Sequence, residues 1–127
     1  MSDRQKIAVP GAALGQPVPE GVRFGRMIFS STILGRVPVT RELPAEPERQ
    51  ADVLFQRIRL FIDAAGCKPE NIIHMKVFVM DDAYRDLISS RWKTMFPDPD
   101  RRPPYHLLNV APNGIHSLFE GVLTAVL

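Results

Sequence analysis

Residues 71–80 read NIIHMKVFVM. A run this rich in β-branched and long apolar side chains, free of Gly and Pro, predicts a strand. Side chains alternate along a strand, so Ile73, Met75, Val77 and Val79 are expected on one side and Ile72, His74, Lys76, Phe78 and Met80 on the other. Large apolar groups fall on both sides, the pattern of a strand covered on two faces. The neighbouring segments are helical. In residues 47–65 the apolar positions Ala51, Leu54, Phe55, Ile58, Phe61, Ile62 and Ala65 step by three and four, with Pro47 in the first turn and Gly66 at the C-terminal end. After the strand, Asp81 and Asp82 can cap a second helix carrying the stripe Tyr84, Leu87, Ile88, Trp92 and Met95; Pro97 and Pro99 end it at Phe96.

Further out, MIFSSTIL at 27–34 predicts another strand, with Met27, Phe29 and Ile33 facing one way and Ile28 and Leu34 the other. YHLLNV at 105–110 and SLFEGVLTAV at 117–126 predict two more, with Pro112, Asn113 and Gly114 turning between them. Residues 6–9 and 22–24 are shorter candidates. Residues 10–20 and 35–47 hold six of the twelve prolines and read as loops. The sum is an α+β sandwich, a mixed sheet with two helices on one face. Two helices cannot cover both faces of such a sheet. At about 25 cal/mol per Å² of apolar area, several wet side chains forgo several kcal/mol, comparable with a domain's whole stability. The second face is therefore expected to be buried against further copies of the chain.

Composition limits the function. The 127 residues suit one domain, 1–127, and at 45% hydrophobic and 24% charged they can bury a core. Sixteen Lys and Arg against fourteen Asp and Glu leave only +2, with the basic residues dispersed, so no nucleic-acid partner is expected. No apolar stretch approaches a membrane span, and MSDRQKIAVPGAALG lacks a signal peptide's unbroken apolar region; a cytoplasmic location is the expectation. The single Cys67 excludes a disulfide framework within the chain and, lacking a nearby His in sequence, is an improbable nucleophile. His74, His106 and His116 lie on separate segments without ligand spacing, so no metal site is expected.

The order of these elements, with GRMIFSSTI, the helix from ERQA to DAAGCKPENII, KVFVMDD, a helix ending in MF before prolines, and VAPNG ahead of a last strand containing Glu, resembles the Rid/YjgF family of reactive-intermediate (imine/enamine) deaminases, also labelled L-PSP endoribonucleases. The resemblance covers most of the chain. It implies a chorismate-mutase-like fold assembled as a homotrimer, sheets inside and helices outside, with ligand clefts between subunits. It also implies hydrolysis of small imine or enamine acids without a cofactor. The family's cleft typically has an Arg for the substrate carboxylate, a Tyr near the N-terminus, a Ser ending the early strand and a Glu in the last strand that positions water. Here Ser31 matches the Ser, with Thr32 where the family has Gly, and Val18 stands at the Tyr position. Counted without gaps from Pro112, Pro103 falls at the Arg position and Leu118 at the Glu position; a one-residue shift brings in Arg102, and Glu120 lies two residues further on.

Each candidate has two readings. Arg102 suits a two-pronged salt bridge to a carboxylate, or is an exposed loop arginine beside Asp100 and Arg101. Glu120 shares its strand face with Leu118, Val122 and Thr124; it moves protons to and from water, or forms a salt bridge across a subunit interface, to Lys76 or an arginine. Ser31 binds substrate or is satisfied by nearby backbone. Tyr105 replaces the missing Tyr or simply packs. Three functions follow in order: a trimeric deaminase with Glu120 and Arg102 catalytic and Ser31, Arg102 and Tyr105 on the substrate; a non-catalytic protein of the same fold binding a small carboxylate metabolite; and RNA cleavage, placed last because the net charge is small.

Overall fold

The computed structural model describes residues 4–11, 18–111 and 117–127. Seven strands form one mixed sheet: β1 (Arg4–Ile7), β2 (Gly21–Phe24), β3 (Met27–Ser30), β4 (Ile33–Leu34), β5 (Ile72–Val79), β6 (Tyr105–Asn109) and β7 (Phe119–Val126). Their order is β1-β2-β3-β7-β5-β6, with β4 continuing beside β7. All neighbours are antiparallel except β5 and β6. Strands β6 and β7 therefore flank β5 and do not pair with each other. The turn expected at Pro112, Asn113 and Gly114 lies outside the described residues.

Two helices, α1 (Pro47–Ala64) and α2 (Arg85–Met95), pack on one face of this sheet. The expected apolar stripe of α1 is buried from Ala51 to Ile62, and its chain leaves through Gly66 at φ +76°. That left-handed value suits glycine. The second helix starts later than expected. Asp81 accepts a hydrogen bond from the Ala83 N–H at 2.8 Å, capping a short 3₁₀ turn, Asp82–Tyr84, that precedes α2. From α2 only Ile88 and Met95 are fully buried. Met75, Val77 and Val79 of β5 and Phe119, Leu123 and Ala125 of β7 meet the helices in one core.

Two bulges alter the expected faces. Between Phe29↔Thr124 and Ile33↔Gly121, the early strand has three residues where β7 has two. One residue is extra, so the predicted strand 27–34 is broken, and Ser31 and Thr32 belong to neither half of it. The backbone groups freed there find other partners: the Ser30 hydroxyl accepts from the Leu123 N–H at 2.9 Å, and the Ser31 N–H donates to the Glu20 carbonyl at 2.8 Å. An extra residue exchanges inside for outside. Ile33 thus joins Ile28 in the core, while Phe29 is left 42% exposed. The second bulge lies between Ile72↔Ala125 and His74↔Thr124 and makes Ile73 the extra residue. Ile72, expected opposite Met75, is instead buried with it, and Ile73 is exposed. Beyond these points the alternation is regular.

The helix layer lies close to the sheet edge at Gly35. A Cβ there would stand 2.5 Å from the Gln50 carbonyl oxygen of α1, a backbone atom that cannot swing aside. Gly35→Ala is expected to lower stability by about 1–3 kcal/mol, as overpacking does, measured as a lower urea midpoint; an unchanged midpoint would show that α1 is free to shift.

Candidate functional site

The helices leave the other sheet face open. Its residues follow from register. Across it run the rows Val22, Phe29, Thr124, His74, then Val122, Lys76, His106, then Leu34, Glu120, Phe78, Leu108. Glu120 is half-buried between Leu34 and Phe78, and Val122 and Thr124 follow it on the same face of β7. Ser31, half-buried, lies in the first bulge, between the segments that pair with Thr124 and Gly121 of the strand carrying Glu120. Nearby, Phe29, Ser30, His74, Lys76, Val122, Leu123 and Thr124 line a depression.

Arg102 and Tyr105 are placed elsewhere. Tyr105 opens β6 and pairs with Met75, so it points into the helix side, where its ring stacks on Trp92 at 4.6 Å. Arg102 lies over the Trp92 ring, its guanidinium carbon 5.3 Å from the ring centre, and its Nε donates to the Phe96 carbonyl at 2.8 Å. Within one chain the sheet does not bring Arg102 to Glu120. Glu120 sits opposite Phe78, towards the C-terminal end of β5, whereas the chain after Arg102 joins the sheet near that strand's beginning. The reading of Arg102 as a merely exposed loop arginine also fails, because it is half-buried and held at two points.

Two polar residues of α1 that sequence reasoning did not single out brace the surroundings of Glu120. Gln50, 3% exposed, donates to the Pro44 carbonyl at 2.7 Å and accepts from the Leu118 N–H at 3.1 Å, fixing the chain just before β7. Arg57, also buried, donates to the carbonyls of Leu34 and Arg36, both at 3.4 Å, beside the strand that faces Glu120. Burial foremost, then Arg41, holds its pKa below the ordinary arginine value, with Glu20 opposing and Arg36 adding to the fall. The signal was present: positions 50 and 57 lie on the apolar helical stripe, where a polar residue must find partners inside.

The histidines also differ from expectation. His74 and His106, far apart in sequence, meet across β5 and β6 with ring centres 5.0 Å apart, next to Lys76. His116 lies outside the described residues. Among the described residues no three His, Cys, Asp or Glu side chains gather as a metal site would require, and no helix is long and apolar enough to cross a membrane. Cys67 is buried, and burial pushes its thiol up, away from the thiolate a nucleophile needs.

The chain thus has an α+β fold with two helices on one face of a mixed sheet and a half-buried carboxylate, Glu120, on the other. The profile of the Endoribonuclease L-PSP family matches residues 10–127, and the chain belongs to this family, the Rid/YjgF family. It is 37% identical over 70 residues to the Escherichia coli 2-iminobutanoate/2-iminopropanoate deaminase, covering 55% of this chain and 54% of that protein. With TdcF of E. coli it shares 38% over 72 residues, 57% of this chain and 54% of the relative. The match thus spans about half the length of either relative. Solved structures extend the likeness to nearly the whole chain: the E. coli YjgF gene product superposes with TM-score 0.84 at 28% identity over 96% of this chain and 98% of its own. E. coli TdcF with bound serine gives 0.82 at 27% over 100% and 99%.

The Tyr105 hydroxyl, near Ser89, is enclosed without a hydrogen bond of good geometry. Burial pushes its phenol above the ordinary value of 10.0, with Ser89 and Arg85 opposing. The folded chain keeps this proton to higher pH than the unfolded chain. Its contribution to stability is therefore complete below about pH 10 and is lost as pH rises through the folded value. In urea unfolding from pH 8 to 11, Tyr105→Phe should show a shallower alkaline loss of stability than the parent; parallel curves would mean the phenol is solvated.

Proposed function

We propose that the protein is a cofactor-independent hydrolytic deaminase of small reactive imine or enamine acids, acting in clefts that form where copies of the chain meet as a trimer. One observation carries the reading: Glu120 stands half-buried among apolar neighbours on the uncovered sheet face, beside the Ser31 bulge. A carboxylate held this way suits proton traffic with water. The family supports it, as do a relative named for deaminating 2-iminobutanoate and 2-iminopropanoate and a structural relative holding serine, itself a small acid with nitrogen next to the carboxylate-bearing carbon.

In this mechanism an enamine first tautomerises to the imine. Water adds to the C=N carbon, forming the C–O bond while Glu120 takes a proton from the water. That proton passes to nitrogen, giving a carbinolamine; Glu120 then relays the hydroxyl proton to the same nitrogen as the C=O bond forms, the C–N bond breaks and ammonia leaves. One imine and one water give one 2-oxo acid and one ammonia, with no electrons exchanged. Ser31 orients the substrate, and apolar walls around Glu120 limit competing water.

Trimer formation supplies the missing walls. Phe24, Phe29, Ile73 and Leu108 are each 42–55% exposed in the single chain. Burying such side chains contributes on the order of 1 kcal/mol or more apiece. The expected outcome is a trimer by sedimentation and ammonia release from freshly generated 2-iminobutanoate. Glu120→Gln should keep the trimer and lower kcat by roughly 10²–10⁴-fold, the usual worth of a general acid–base group. Undiminished turnover in Glu120→Gln removes Glu120 from the mechanism. A second reading, binding without turnover, is favoured by Val18, half exposed where the family has a Tyr; it holds if 2-oxobutanoate binds the trimer but no imine is hydrolysed faster than in buffer.

A further inference from the structure

Resting on that reading, the geometry points to a carboxylate anchor other than the arginine: we propose that the substrate carboxylate is held by Lys76, the diagonal neighbour of Glu120 on the open face, with His106 adding a hydrogen bond from across β6 and His74 one row further along β5. In a 2-imino acid the carboxylate is bonded directly to the carbon that water attacks. The anchor and the group handling the water must therefore lie within a few bond lengths of each other. Lys76 meets this condition. Glu120 pairs with Phe78, so Lys76 is its diagonal neighbour on the same face, about 7–8 Å away between Cα atoms, within reach of a long side chain. His106 lies directly across from Lys76 on β6.

Charge distribution supports the assignment. On the open face of β5, β6 and β7 the described residues include one carboxylate, Glu120, and three groups able to carry positive charge: His74, Lys76 and His106. The two imidazoles are 5.0 Å apart, and Lys76 makes no ion pair among the described residues. Groups of one sign gathered at a partly enclosed surface concentrate an anion of the other. The adjoining depression is lined by Phe29, Val122 and Leu123 together with Ser30, Thr124, His74 and Lys76, a mixture of apolar and polar groups that suits a short alkyl chain carrying a carboxylate. Arg102, in contrast, lies against the Phe96 carbonyl and the Trp92 ring on the helix side of the same chain.

The test is binding of the product 2-oxobutanoate, followed by calorimetry or NMR on the trimer, with imine hydrolysis measured in parallel. Lys76→Met should weaken binding at least tenfold and raise KM more than it lowers kcat, as losing one charge-assisted hydrogen bond does. His106→Gln should weaken it less, and Lys76→Arg should restore most of it. Arg102→Met should bind as the parent does. If Arg102→Met loses 2-oxobutanoate while Lys76→Met and Lys76→Gln retain it, the anchor is the arginine and the inference is overturned, with the deaminase reading intact. If the parent binds 2-oxobutanoate through Lys76 yet hydrolyses no imine, the deaminase reading fails and the anion site stands.

Discussion

Strand β7 is the element on which the rest depends. It is paired on both sides, with β3 and β4 along one edge and β5 along the other, and its eight residues alternate without interruption between core and open face. Phe119, Gly121, Leu123 and Ala125 face the helices; Glu120, Val122, Thr124 and Val126 face away. The pleat forces this division: a strand that buries every second residue under helices must present the others to the opposite side. A carboxylate at an even position of this strand is thus kept out of the core but not released to bulk water. Hydrogen-bonded neighbours on both sides hold it there.

The polar residues around β7 make its position definite. Gln50 closes the gap between α1, the loop at Pro44 and the N–H of Leu118, and Arg57 ties the same helix to the carbonyls after β4. Each is a buried polar group whose bonds would be costly to lose. Together they connect the helix layer to β4, which faces Glu120, and to the chain entering β7. The bulge at Ser31 and Thr32 acts from the other edge, directing the Ser30 hydroxyl to a β7 N–H and leaving Ser31 beside the open face. Helix, bulge and central strand converge on one small area of the open face.

Most of the architecture was legible in the residues. The apolar stripe of α1, the capping Asp81, the prolines that stop α2 and the unbroken apolar run of β5 are local signals, and local geometry obeys them. The surplus of apolar groups on two sheet faces also followed from alternation alone. What misled was parity. Ile72 and Ile73, and Ile33 and Leu34, each occupy the side opposite to the one alternation predicts, because a bulge depends on how partner strands meet and a single strand carries no mark of it. Ser30 and Ser31 hinted at the first bulge only through their ability to replace ladder hydrogen bonds. Ile73 gave no such hint.

The site divided along the same line. The chain's own residues determined that a Glu would lie in the last strand and that a Ser would stand at the end of the early one, since such properties follow from residue type and local spacing. Pairing of distant strands decided the rest: it set Lys76, 44 residues away in sequence, diagonally beside Glu120, with His106 across from Lys76 and His74 one row further along, and it drew Arg102 and Tyr105 against Trp92 on the far side. Sequence distance says nothing about which strands become neighbours. That choice is made when the sheet closes over its core and every backbone donor must find an acceptor.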